Sequence, residues 1–96
     1  MKDMMSVELL KQMRMFVAYS QQDLAKATNY SRSYISKIEQ GTVQPSSIVQ
    51  WHILQACKHA GLQDWQFAML KIIVDGDEKD LEELMNGLNR QAEKEG

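Results

Sequence analysis

One cysteine, one proline and five glycines in 96 residues are few, and each shortage excludes something. The lone cysteine, Cys57, cannot close an intramolecular disulfide, so the fold has to be held by its core. With a single proline and 44% hydrophobic residues, no long disordered linker is expected, and the length suits one compact domain with a modest extension. Neither a charged-then-apolar leader nor an uninterrupted long apolar run occurs, so secretion and membrane insertion are not expected, and a reducing cytoplasm is the expected compartment. Catalytic and cofactor signatures are missing too. There is no glycine-rich phosphate loop, no triad and no paired-carboxylate arrangement, and the acids from Asp75 to Glu83 lack the ligand alternation of a calcium loop. His52 and His59 share one side of a helical stretch but lie about 10.5 Å apart along its axis, too far for shared ligation. Neither a metal, a cofactor nor an enzymatic activity is therefore expected, and Cys57 reads as a small buried hydrophobe.

The net charge is small and the charges are unevenly spread. The net charge is −2, yet residues 1–60 carry seven basic side chains against four acidic ones, a net of +3, while residues 61–96 carry four against nine, a net of −5. Screening confines electrostatics to about 8 Å at physiological salt, so the basic part can meet a polyanion despite the acidic remainder.

What is present is concentrated between Ser20 and Gly41. Ser20 caps a helix with Asp23 in the reciprocal capping position, and Leu24, Ala25 and Ala27 give it a small apolar face. Asn29 ends it, because Asn tolerates the left-handed conformation of a tight turn. Ser31 caps a second helix in which Ile35 and Ile38 form one stripe, while Arg32, Ser33, Ser36 and Lys37 lie away from it; Gly41 stops it. Two short helices joined by a tight turn, the second buried on one side and rich in donors on the other, suit a DNA major groove. Ahead of them, Ser6 caps a helix over about residues 6–18, with Leu9 or Leu10, Met13, and Phe16 or Val17 at helical spacing.

These residues resemble the phage-repressor and Cro-like helix-turn-helix domains, the xenobiotic-response-element family. The resemblance covers about residues 9–60 and rests on Leu10, Met13, Arg14, Ser20-Gln21, Leu24-Ala25, Ser31, Ile35-Ser36, Ile38-Glu39, Gly41 and Pro45 in family order and spacing. Ala18 stands where the family usually has glycine, Asn29 where a turn glycine is common, and the apolar spacing after Pro45 is displaced by one residue. The resemblance implies an all-α, lambda-repressor-like fold of four to five helices plus a C-terminal amphipathic helix. It implies an Arg14–Glu39 ion pair joining the first helix to the end of the third. It further implies base contacts from Arg32 and Ser33, with Lys37 on a similar side. Gln21 would anchor a phosphate, with Ser31 at the helix start and Tyr30, Tyr34, Ser36 and Gln40 adding phosphate or methyl contacts. Tyr34 can equally pack against the turn.

A fourth helix, from about Ser47 to Ala60, is apolar almost all round, so something must cover its second side. The candidate cover is the C-terminal part. Residues 1–61 are thus expected to form the helix-turn-helix domain and 62–96 a helical extension. Asp64 is its expected first cap; Trp65, Met69, Ile72 and Ile73 form one stripe, and Phe67, Leu70 and Val74 another. The β-branched run at 71–74 leaves a strand as an alternative to helix. Leu81, Leu84, Met85 and Leu88 then mark a last amphipathic helix. Trp65, Phe67, Ile72, Ile73, Leu81, Leu84, Met85 and Leu88 either complete the core or form a dimer interface. The expected function is sequence-specific binding of double-stranded DNA by a homodimeric regulator, of the type found as repressors in phages, plasmids and mobile elements. The alternative is a protein-interaction module or antitoxin-like switch whose acidic C-terminal helices hold a regulatory protein partner, which seven methionines would suit.

Overall fold

The computed structural model describes residues 5–76 together with 79, 82, 83, 85 and 86. Up to Gly76 the described residues form, in order, α1 (Val7–Phe16), α2 (Gln21–Thr28), α3 (Arg32–Gln40), α4 (Ser47–His59) and α5 (Asp64–Asp75). There is no strand among the described residues, so the run at 71–74 is helix. The five described residues beyond Gly76 are helical and exposed; Leu81, Leu84 and Leu88 lie outside the described residues.

Each early boundary has a local cause. Ser6 Oγ accepts the Leu9 amide at 3.1 Å and starts α1. Ser20 Oγ accepts the Asp23 amide at 3.0 Å while the Asp23 carboxylate accepts the Ser20 amide at 2.9 Å, closing the capping box of α2. Ser31 Oγ accepts the Tyr34 amide at 3.0 Å at the start of α3. The stops are left-handed: Asn29 at φ 64° and Gly41 at φ 80°. Ala18, also at φ 60°, makes the turn out of α1, two residues after the helix ends at Phe16. An alanine there carries the steric cost that glycine escapes, roughly 1–2 kcal/mol.

The core is contributed by all of the first four helices. Leu9, Leu10 and Met13 from α1, Leu24 and Ala25 from α2, Ile35 and Ile38 from α3, and Val49, Ile53, Ala56 and Cys57 from α4 are buried together with Leu62. α1 packs against α3, α4 and α5, and α2 against α3 and α4. Burial of this apolar set is the main source of stability.

Two expectations about the second half are corrected. Gln63, not Asp64, is the residue before α5; its amide donates to Gln66 Oε1 at 2.9 Å, and Asp64 instead receives Lys58 Nζ at 2.9 Å. More importantly, α5 does not cover the second side of α4. It packs chiefly on α1, with Phe67, Leu70 and Val74 against the core, and Ile48 and Trp51 on α4 stay more than half exposed. The displaced spacing after Pro45 has a physical counterpart in Gln50, a polar side chain buried on the inner face of α4. Its Oε1 accepts the Met5 amide at 2.8 Å and its Nε2 donates to the Pro45 carbonyl at 3.2 Å, so burial costs it no hydrogen bonds. At the far end of α5, Ser6 Oγ donates to Asp75 Oδ1 at 2.5 Å, tying the end of α5 to the start of α1.

Candidate nucleic-acid interface

α3 divides its side chains by function. Ile35 and Ile38 point inward and are almost wholly buried. On the opposite side, Arg32, Ser33, Ser36, Lys37 and Gln40 line one shallow concavity of ≈ 390 Å³. Four of these five are exposed, and Ser36 is half-buried with its hydroxyl receiving Gln40 Nε2 at 3.2 Å. Two basic side chains, a hydroxyl pair and a side-chain amide therefore face outward together. Among the described residues no acidic side chain lines the concavity, so its field favours an anion.

The rest of the site holds α3 in place. Arg14 Nε and Nη2 donate to the two carboxylate oxygens of Glu39 at 2.6 and 3.0 Å, a fork-to-fork arrangement. The remaining Nη1 donates to the Tyr19 carbonyl at 2.7 Å, just past the left-handed Ala18. The side chains are 12% and 6% exposed, so the pair is desolvated and each charge depends on the other. Gln21 joins the same hub, its Nε2 donating to Glu39 Oε1 at 3.1 Å. One carboxylate at the end of α3 thus gathers α1, the turn after it and the start of α2.

Tyrosines take a different place from the outward-facing group. The Tyr30 hydroxyl pairs with His52 Nδ1 at 2.7 Å, and its ring meets that of Tyr34 edge-on, with centroids 5.3 Å apart. Both tyrosines are half-buried and pack on the core. Ser31 is occupied as the α3 cap. Of the nine residues expected at DNA, Arg32, Ser33, Ser36, Lys37 and Gln40 come together; Gln21 is committed to Glu39, and Tyr30, Ser31 and Tyr34 brace the turn and the first turn of α3. His52, absent from the sequence-derived site, is the missing partner of Tyr30. It lies 22 residues away, and no local pattern marks it.

The remaining chemistry points to structure. Desolvation pushes the Cys57 thiol up to about 11, so it stays protonated and inert at neutral pH. The Ser20 hydrogen bonds hold the Asp23 carboxyl below its ordinary value, which keeps the capping box charged at neutral pH. His59 shares a small groove with His52, Gln55 and Thr28 between α2 and α4. Among the described residues no helix is long and apolar enough to cross a membrane.

Comparison with known families agrees with this geometry. A family model described as "Helix-turn-helix domain" matches residues 7–64, from the first residue of α1 to the first residue of α5. No curated protein and no solved structure matches the chain.

Proposed function

Since the chain belongs to the helix-turn-helix domain family, which suggests a DNA-binding regulator, we propose that it is a sequence-specific transcriptional repressor of phage, plasmid or mobile-element type. It acts by binding rather than by catalysis, and it works in the cytoplasm. The observation that carries this reading is the concavity of α3, where Arg32, Ser33, Ser36, Lys37 and Gln40 face outward while Ile35 and Ile38 fix the helix from behind.

In this reading α3 enters the major groove with its first turn foremost. Arg32 makes a bidentate contact to guanine, Ser33 reads a neighbouring base edge, and Lys37 and Gln40 secure the backbone. The buried Arg14–Glu39–Gln21 hub fixes the tilt of α3, so that the same side chains meet the same base pairs at each encounter. Two copies bind a palindromic operator, their recognition helices about 34 Å apart or a multiple of it.

The salt dependence of binding to a mixed-sequence duplex tests the reading. The affinity of the wild-type chain is expected to fall steeply as salt rises. The Arg32→Ala/Lys37→Ala variant should show a slope shallower by about one for each phosphate that it no longer neutralises. Folded protein with no DNA affinity at low salt would contradict the reading. That result would favour the protein-interaction alternative.

A further inference from the structure

α3 is held at its end and in its middle, and its first turn lies outside both supports. The Arg14–Glu39–Gln21 hub grips the C-terminal end, and Ile35 and Ile38 anchor the middle in the core. Arg32 and Ser33 come before Ile35, the first buried residue of the helix, and both are exposed. The Ser31 cap does not tie them to the rest of the molecule, because its bond to the Tyr34 amide lies within the turn and moves with it. The link from this end to α4 is Tyr30, the residue immediately before the cap. Its hydroxyl pairs with His52 Nδ1 at 2.7 Å, and its ring centroid lies 5.3 Å from that of Tyr34 and 5.8 Å from the imidazole.

We propose that His52 is a positioning residue for base discrimination: through the Tyr30 hydroxyl it sets where the first turn of α3, and with it Arg32 and Ser33, meets the base edges. This rests on the DNA-binding reading given above and adds a residue of α4 to the determinants of specificity. Three observations support it. First, the anchor is firm, since Ile53, next to His52 on α4, is buried in the core. Second, Tyr30 and His52 are both half-buried, so water competes less for their bond than for an exposed one. Third, the Tyr34 ring belongs to the first turn of α3 and meets Tyr30 edge-on, so the position of Tyr30 is passed to the helix by direct contact.

Base contacts and phosphate contacts differ in what they tolerate. Hydrogen bonds to base edges weaken steeply outside a narrow range of distance and angle, whereas attraction to the phosphates is long-range. Loosening the first turn therefore costs discrimination between right and wrong bases before it costs overall attraction to DNA.

The experiment measures, at one salt concentration, affinity for the duplex selected by the wild type, for the same duplex with one base pair changed in a half-site, and for mixed-sequence DNA. Tyr30→Phe removes the hydroxyl and keeps the ring against Tyr34; His52→Leu removes the polar partner and keeps bulk. Both are expected to lower the matched-to-mismatched ratio by about tenfold, within what one bidentate base contact supplies, while affinity for mixed-sequence DNA stays within about twofold. His52→Asn returns a polar atom to the place of Nδ1 and should restore most of the ratio, although Asn is a poorer helix former than Leu. A merely structural role would rank the two His52 variants by helix stability, in the opposite order. A ratio unchanged in Tyr30→Phe and His52→Leu, or lowered equally by Leu and Asn at 52, overturns the proposal and leaves the DNA-binding reading in place. A folded wild type without affinity for any duplex contradicts that reading itself, and this proposal with it.

Discussion

α3 and α5 are both amphipathic towards the core, and they differ in what they turn to water. Behind α3 stand Ile35 and Ile38; in front stand Arg32, Lys37 and a set of hydroxyl and amide groups. Behind α5 stand Phe67, Leu70 and Val74, and in front stand Trp65, Met69 and Ile73. The inner faces explain folding in both cases. It is the outer faces that distinguish the partners: donors and positive charge address a polyanion, whereas large apolar side chains left in water address another apolar surface. The two helices also differ in how they are held. α3 is fixed by a desolvated ion pair and an αL glycine stop, α5 by apolar packing and the Ser6–Asp75 hydrogen bond. If α3 meets base edges in register, as proposed, it needs the stiffer support.

That contrast can be broken first at Glu39. Replacing it with alanine strands the Arg14 guanidinium in a desolvated place and removes the hub under α3, and a loss of about 3 kcal/mol is expected. A thermal melt that does not move would show that the pair contributes nothing to the fold. The next largest effect is on binding alone. Arg32→Ala should cost about 2 kcal/mol at its preferred site, relaxing specificity at one base position while leaving the melting temperature in place, as titrations against matched and mismatched duplexes would reveal.

A smaller effect, of opposite sign, is expected at Ala18. At φ 60° the alanine methyl is strained, and Ala18→Gly should raise stability by about 1 kcal/mol after allowing for glycine's larger conformational entropy in the unfolded chain. Denaturant titration would register it as a higher midpoint at constant slope. The smallest effect concerns pH. The Asp23 carboxyl is held below its ordinary value in the folded chain, so its contribution is present above the usual carboxylate range and is lost as pH falls through the lowered value. Asp23→Asn should flatten that part of the acid limb in a pH series of melts. An unchanged limb would mean that the capping box does not depend on the charge.

Much of the first half was legible because its signals are local. Ser20 with Asp23, Ser31 before α3, and the stops at Asn29 and Gly41 act over three or four residues, and the structure places each where the sequence predicts it. The Ile35–Ile38 stripe likewise separates the inner from the outer side of α3 by helical spacing alone. What escaped the sequence acts over long separations. Gln50 carries no local signal of burial, and the Met5 amide and the Pro45 carbonyl reach it only in the fold. His52 reads as half of a histidine pair until Tyr30 is placed against it. The two stripes of α5 were visible, but not that the inner one rests on α1 while α4 keeps Ile48 and Trp51 exposed, because a helical period does not tell which neighbour a helix chooses. Within the site, the exposed side of α3 followed from the sequence pattern. The diversion of Gln21 to Glu39 and of Tyr30 to His52 is tertiary.

The most direct test of the central claim, that the outer side of α3 reads DNA, is selection of bound sequences from a random duplex pool, run with the wild type beside the Arg32→Ala/Lys37→Ala variant. The account predicts an enriched motif with two-fold symmetry, recovered by the wild type and absent with the folded variant. A wild-type protein that is folded and enriches nothing would contradict it.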